Sequence, residues 1–173
     1  MFPSAAIARP QILVFDTGPL WELMLYTAVH PPFGFASLKN QLEHLQSVSS
    51  HQRFSEFIAS FQKRTTTPHV VAEISARIIR LTEKKSWSSI WGLVYSEFSS
   101  MGMDEGVMKL LEMPQDLVAE IGAVDVSIVE LGRSLGLPKS LVLSVDSALI
   151  TECQRAGLNA RHLVEVIANG EPS

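Results

Sequence analysis

Ile12-Leu13-Val14-Phe15-Asp16-Thr17-Gly18-Pro19-Leu20 is the stretch that decides the fold. Four consecutive apolar residues suit a strand buried on both faces. Thr17-Gly18-Pro19 then offers a cap and a proline suited to a first helical turn. Leu20, Leu23, Met24 and Thr27 follow at helical spacing. A strand therefore runs into a helix, and Asp16 stands at the strand's carboxyl end.

The same change of period recurs along the chain. Leu38, Leu42 and Leu45 form one apolar stripe, and Phe54, Phe57, Ile58 and Phe61 another, so a long helical segment is expected at about residues 35–63. His30-Pro31-Pro32-Phe33-Gly34 reads as the loop before it. Thr65-Thr66-Thr67 suits a short strand, with Pro68 opening a helix that carries Val71, Ile74, Ile78 and Leu81. Trp87, Ile90, Trp91, Val94 and Phe98 mark an added helix at about 84–100. Residues 107–112 read as a strand, and Leu117 and Ile121 as a short helix. Val124, Ile128, Leu131 and Leu135 define a longer helix, and Leu141 to Val145 a strand. Asp146 opens a helix ending near Gly157, and Asn159 to Leu163 reads as an edge strand.

This alternation predicts an α/β fold, a three-layer α/β/α sandwich with a mainly parallel sheet of about five strands. Ligands in such sheets sit beyond the carboxyl ends of the strands, where strand order reverses. No repeat or long linker interrupts the 173 residues, so one domain over 1–173 is expected.

Composition narrows the classes. Hydrophobic residues make up 46% and charged residues 18%, which excludes intrinsic disorder. The one cysteine, Cys153, excludes an intrachain disulfide framework and fits a reducing, cytoplasmic setting. No apolar run is long enough for a membrane span, and the N-terminus lacks a charged start followed by an apolar core. The net charge of −4 argues against a broad cationic nucleic-acid binder. The charge is uneven, however. Residues 51–85 hold seven Lys/Arg against three Glu, a local net of +4, whereas 86–130 hold one Lys against eight acids, a local net of −7.

Four acids stand out by context. Asp16 and Asp146 each follow a strand, so both can converge on one cleft. An N-cap role competes for each, more strongly for Asp146, since Thr17 and Gly18 can cap in place of Asp16. Glu73 lies five residues after Pro68, where a solvent-facing helical Glu is the ordinary alternative. Asp125 is flanked by four uncharged residues on either side, and an N-cap after Gly122 is its alternative.

Taken together, Ile-Leu-Val-Phe-Asp16-Thr17-Gly-Pro-Leu, Thr-Pro68-His-Val-Val-Ala-Glu73-Ile, Val-Asp125-Val-Ser-Ile-Val-Glu-Leu and Leu-Ser144-Val-Asp146-Ser-Ala-Leu resemble the PIN-domain ribonucleases. These are small α/β/α proteins, many of them toxins of VapBC-type toxin–antitoxin pairs. The resemblance covers about residues 11–165. It implies that Asp16, Glu73, Asp125 and Asp146 form the family's acidic quartet, with Thr17 and Ser144 as the accompanying hydroxyl residues. It further implies a metal-dependent endoribonuclease with an RNA substrate, an antitoxin partner and a homodimer. All-oxygen ligation suits Mg²⁺ or Mn²⁺ rather than zinc. Asp16, Asp125 and Asp146 would be direct or water-mediated ligands, and Glu73 a ligand or the residue that orients the attacking water. Without those four acids the formal balance is 14 against 14.

The long 30–63 segment and the Trp-rich stretch at 82–105 depart from the compact family pattern, and Ser147-Ala148-Leu149 stands where many relatives place a further acid. A catalytically silent PIN-like interaction module is the alternative. A phosphatase of the haloacid dehalogenase type would need a second Asp two residues after Asp16, where Gly18 stands. His30, His44, His51, His69 and His162 show no paired ligand spacing and are expected to be structural, although His69 could approach the site. Cys153 is expected to act as a small buried apolar residue.

Overall fold

The computed structural model describes residues 10–106, 113–136 and 139–169. Strand β1 (Ile12–Phe15) leads into helix α1 (Thr17–Val29), as the opening stretch requires. A 3₁₀ turn (Ala36–Gln41) and helix α2 (Val48–Ala59) follow, then strand β2 (Lys63–Thr66) and helix α3 (Pro68–Leu81). A short 3₁₀ turn (Lys84–Ser86), helix α4 (Trp87–Met101) and strand β3 (Met103–Glu105) complete the first half. The second half comprises α5 (Gln115–Ile121), α6 (Ala123–Leu135), β4 (Ser140–Ser144), α7 (Ser147–Arg155), β5 (Asn159–His162) and α8 (Leu163–Asn169).

The five strands pair in the order β3-β2-β1-β4-β5, and every pairing is parallel. Ile12 lies opposite both Lys63 and Ser140, so β1 and β4 run level up to Phe15 and Leu143, one residue before β4 ends at Ser144. From β1 the chain steps outward through β2 to β3, then returns past β1 to β4 and on to β5. The reversal lies between β1 and β4, and the two directions of travel place connecting helices on opposite faces of the sheet, giving the expected α/β/α layers.

The sheet core is Leu13, Val14, Phe15, Val142 and Leu143, all without solvent exposure. Helix α1 is more deeply buried than its one expected stripe. Every residue from Thr17 to Leu25 is buried, Trp21, Glu22 and Leu25 included, because α3, α4 and the first 3₁₀ turn also pack on it.

One expectation changes. The helical segment at about 35–63 is broken, since residues 42–47 are not helical and β2 begins at Lys63. Leu38, Leu42 and Leu45 are nonetheless buried. The Glu22 carboxylate takes the amide N–H groups of Glu43, His44 and Leu45, which a continuous helix would have used itself. Ser47 and Ser50 then start α2 afresh in a reciprocal cap. The third strand lies at Met103–Glu105, because Gly102 adopts a left-handed φ of 57° that ends α4 and turns the chain into the sheet. The strand expected at 107–112 lies outside the described residues. Among the described residues, no helix is long and apolar enough to cross a membrane.

Gly18 carries a close approach on which the reversal point relies. A Cβ there would fall 2.2 Å from Val145 Cγ2, so the start of α1 and the loop after β4 touch only because the side chain is absent. Gly18→Ala is expected to destabilise by about 1–3 kcal/mol through overpacking. A thermal melt several degrees below the parent's would report it, and an unchanged melt would show that the two loops part freely.

Candidate active site

Asp16 directly follows β1 and caps α1: its Oδ1 accepts from the Thr17 amide at 2.6 Å. Neither Thr17 nor Gly18 takes that role. Asp16 is 6% exposed, and its Oδ2 accepts from the Ser144 hydroxyl at 2.6 Å. Burial pushes its carboxyl above the ordinary value. The Ser144 and Thr17 hydrogen bonds oppose that rise, and the charge of Glu73 adds to it.

Ser144 joins two strand ends. While donating to Asp16, its oxygen accepts from the Asp146 amide at 2.8 Å. Asp146 caps α7, with Oδ1 accepting from Ala148 N at 2.7 Å and Leu149 N at 3.4 Å. Its side chain is exposed, and no donor among the described residues reaches Oδ2. His162 steadies the same loop: Nδ1 accepts from Val164 N, so Nε2 carries the proton and donates to Val145 O at 2.8 Å.

Glu73 is reached from α3. Thr67 caps that helix, Pro68 sits in its first turn, and the buried hydroxyls of Thr67 and Ser127 meet at 2.8 Å to join α3 to α6. Both Glu73 oxygens are engaged. Thr17 Oγ1 donates to Oε2 at 2.8 Å, and Arg77 donates to Oε1 from Nη2 at 2.7 Å and from Nε at 3.2 Å. Asp125 is the third helical residue of α6 rather than its cap, which is Gly122. It makes no hydrogen bond among the described residues. Burial first, then the charges of Asp16, Asp146 and Glu73, push its carboxyl up to about 7. Asp125 therefore lies within electrostatic range of the other three acids.

The acids are not closed on a single point. Among the described residues, no group of three or more His, Cys, Asp or Glu side chains stands ready to hold a metal ion. Glu73 and Asp146 are held aside by donors of their own.

Two participants escaped the sequence reading. Arg77 lies one turn beyond Glu73, at the i,i+4 spacing that pairs opposite charges on a helix, and that spacing could have identified it. Glu22 is 4% exposed and accepts three amides at 2.9–3.0 Å, with His44 Nδ1 3.7 Å away. Its signal was a lone acid in an otherwise apolar helix. The histidines hold structural positions: His30 and His51 stack on the two sides of Tyr26, and His44 stacks on His162. His69 leaves its buried Nδ1 without a partner among the described residues. Cys153 is fully buried, and its thiol is pushed up to about 12 by burial and by Asp16 and Asp125, so it is no nucleophile.

Comparison of the chain with protein-family models, with curated proteins and with solved structures gave no match.

The elevated Asp125 carboxyl fixes a pH dependence. Its folded value of about 7 lies above the ordinary 3.8, so ionised Asp125 opposes folding above pH 7. The penalty fades as pH falls through 7 and is gone below 3.8. In chelator-treated protein, Asp125→Asn should therefore melt above the parent at pH 8, by roughly 2–4 °C once solvent screening is allowed for. At pH 4 the two melts should coincide. A deficit for the variant at pH 8 would contradict the placement.

Proposed function

We propose that the chain is a metal-dependent endoribonuclease of the PIN type. The observation that carries this reading is the hydrogen-bonded linkage of Asp16 to Asp146 through Ser144 and the adjacency of Glu73 through Thr17 at the strand-order reversal, the position where parallel sheets bind ligands, with Asp125 under the charges of all three.

The donor set fits a hard divalent cation. It is all carboxylate oxygen, and Asp125, raised to about 7 by burial and then by its neighbours' charges, is an acid whose ionised form a cation would favour. Asp16, Asp125 and Asp146 would hold the ion, Mg²⁺ or Mn²⁺. Such an ion offsets charge at the phosphodiester and acidifies a water for attack. Glu73, with Oε1 on Arg77 and Oε2 on Thr17, would orient the attacking water rather than hold the ion. Thr17 and Arg77 fix the direction of the Glu73 carboxylate, while Ser144 fixes Asp16.

A silent interaction module is the second reading, favoured by the committed oxygens of Glu73 and Asp146. A partner, whether an antitoxin or a second copy, would find apolar surface on α3 and α4, where Ile79 is 50% and Tyr95 72% exposed.

RNA cleavage with Mg²⁺ or Mn²⁺ separates the two readings. Asp16→Asn and Asp125→Asn should each lower the rate by at least about 100-fold, and equal cleavage by parent and variants would defeat the nuclease. Dependence on Mn²⁺ concentration then tests the roles. Asp125→Asn should raise the concentration needed for half the maximal rate, whereas Arg77→Met should lower the maximal rate and leave that concentration unchanged. If Arg77→Met shifts it as far as Asp125→Asn does, Glu73 is a ligand.

A further inference from the structure

A second cavity, of about 290 Å³, opens between α1, α2 and α4. Thr27 on its wall lies ten residues along α1 from Thr17, about 15 Å at the rise of a helix, so the cavity stands apart from the four acids. Its volume is near the lower end of the range for small-molecule sites. Leu23, Ile58 and Met101 supply an apolar lining.

The polar groups have one common character. Glu97 accepts at Oε1 from Thr27 Oγ1 at 3.1 Å, but Oε2 has no partner among the described residues, and neither oxygen has an ion-pair partner there. Ser55 and Ser100 spend their protons on helix carbonyls, His51 O and Glu97 O, and so offer lone pairs. Burial and the neighbouring His30 hold His51 below the ordinary imidazole value, which leaves it neutral near pH 7. Among the described residues Arg64 is the one cation on the wall, and four of its five N–H groups are taken by Ile58 O, Ala59 O and Met101 O, the carbonyl ends of α2 and α4. What remains, beside one Arg64 N–H, is a set of acceptors around the Glu97 carboxylate, which has no ion-pair partner among the described residues.

We propose that this cavity binds a small organic monocation, an alkylammonium whose charge meets Glu97 and whose carbon chain lies on Leu23, Ile58 and Met101. The ammonium donates to Glu97 Oε2 and to the hydroxyl oxygens of Ser55 and Ser100. The site does not depend on the nuclease reading.

Titration of the full chain with n-butylammonium chloride, followed by amide NMR, tests it. Saturable shifts are expected at Thr27, Ser55 and Glu97, with none from n-butyrate, which has a carbon chain of the same length and the opposite charge. Glu97→Gln should weaken binding at least about tenfold. Ala59→Leu, which enlarges a lining side chain, should abolish it, and this variant decides the matter should Glu97→Gln fail to fold. Asp125→Asn should leave the titration unchanged. Equal response to butyrate, parent-like binding by Glu97→Gln, or loss of the shifts in Asp125→Asn would each overturn the proposal, the last by placing the cation on the acid cluster.

Discussion

The contact on which the site depends is the Ser144 hydroxyl between Asp16 and Asp146. The parallel pairing of β1 with β4 brings the two strand ends together, with the Asp16 amide donating to Leu143 O at 3.1 Å, but it does not orient the side chains that follow. Ser144 donates to one acid's carboxylate and accepts from the other's amide, so one side chain sets their relation. The close approach of Gly18 to Val145 supplies the room, and His162 holds the Val145 carbonyl from the other side. Asp16 is almost fully buried, and a buried carboxylate short of donors is costly by several kcal/mol. The two short hydrogen bonds it receives therefore lock the geometry as well as the charge.

The same rule shapes the rest of the molecule. Glu22 is a second buried carboxylate on the same helix, and its three amide donors tie residues 43–45 against α1. A helix buried on every side can carry an acid only where another part of the chain brings N–H groups to it. That demand interrupts the helical segment after Gln41 and presses Leu42 and Leu45 into the core. Arg64 shows the converse, a cation satisfied by the carbonyl ends of α2 and α4.

The sheet was legible because strands buried on both faces appear as unbroken apolar runs, as in Ile12–Phe15 and Leu141–Leu143. The acids at strand ends were legible for the same reason, since each interrupts an apolar run at a fixed place. Arg77, Glu22 and the break after Gln41 were less so, because each depends on a residue distant in sequence or one helical turn away. Apolar spacing reports which face is buried but not how many faces are, so α1 looked like a surface helix with one stripe. The left-handed Gly102 set the third strand for a local reason that composition alone does not reveal.

Glu73 and Asp125 divide the electrostatic work, and the division follows from what each touches. Glu73 has a resident cation and a hydroxyl, so its charge is already balanced and its direction fixed. Among the described residues Asp125 has neither, and it feels Asp16, Asp146 and Glu73 across a half-buried space. A divalent ion would gain least from Glu73, since it would compete with a guanidinium at 2.7 Å, and most from Asp125, where it removes a repulsion that nothing else offsets. The net charge of −4 is therefore a poor guide to nucleic-acid binding here. What matters is that Glu73 on α3 carries its own arginine while Asp125 on α6 has no partner among the described residues.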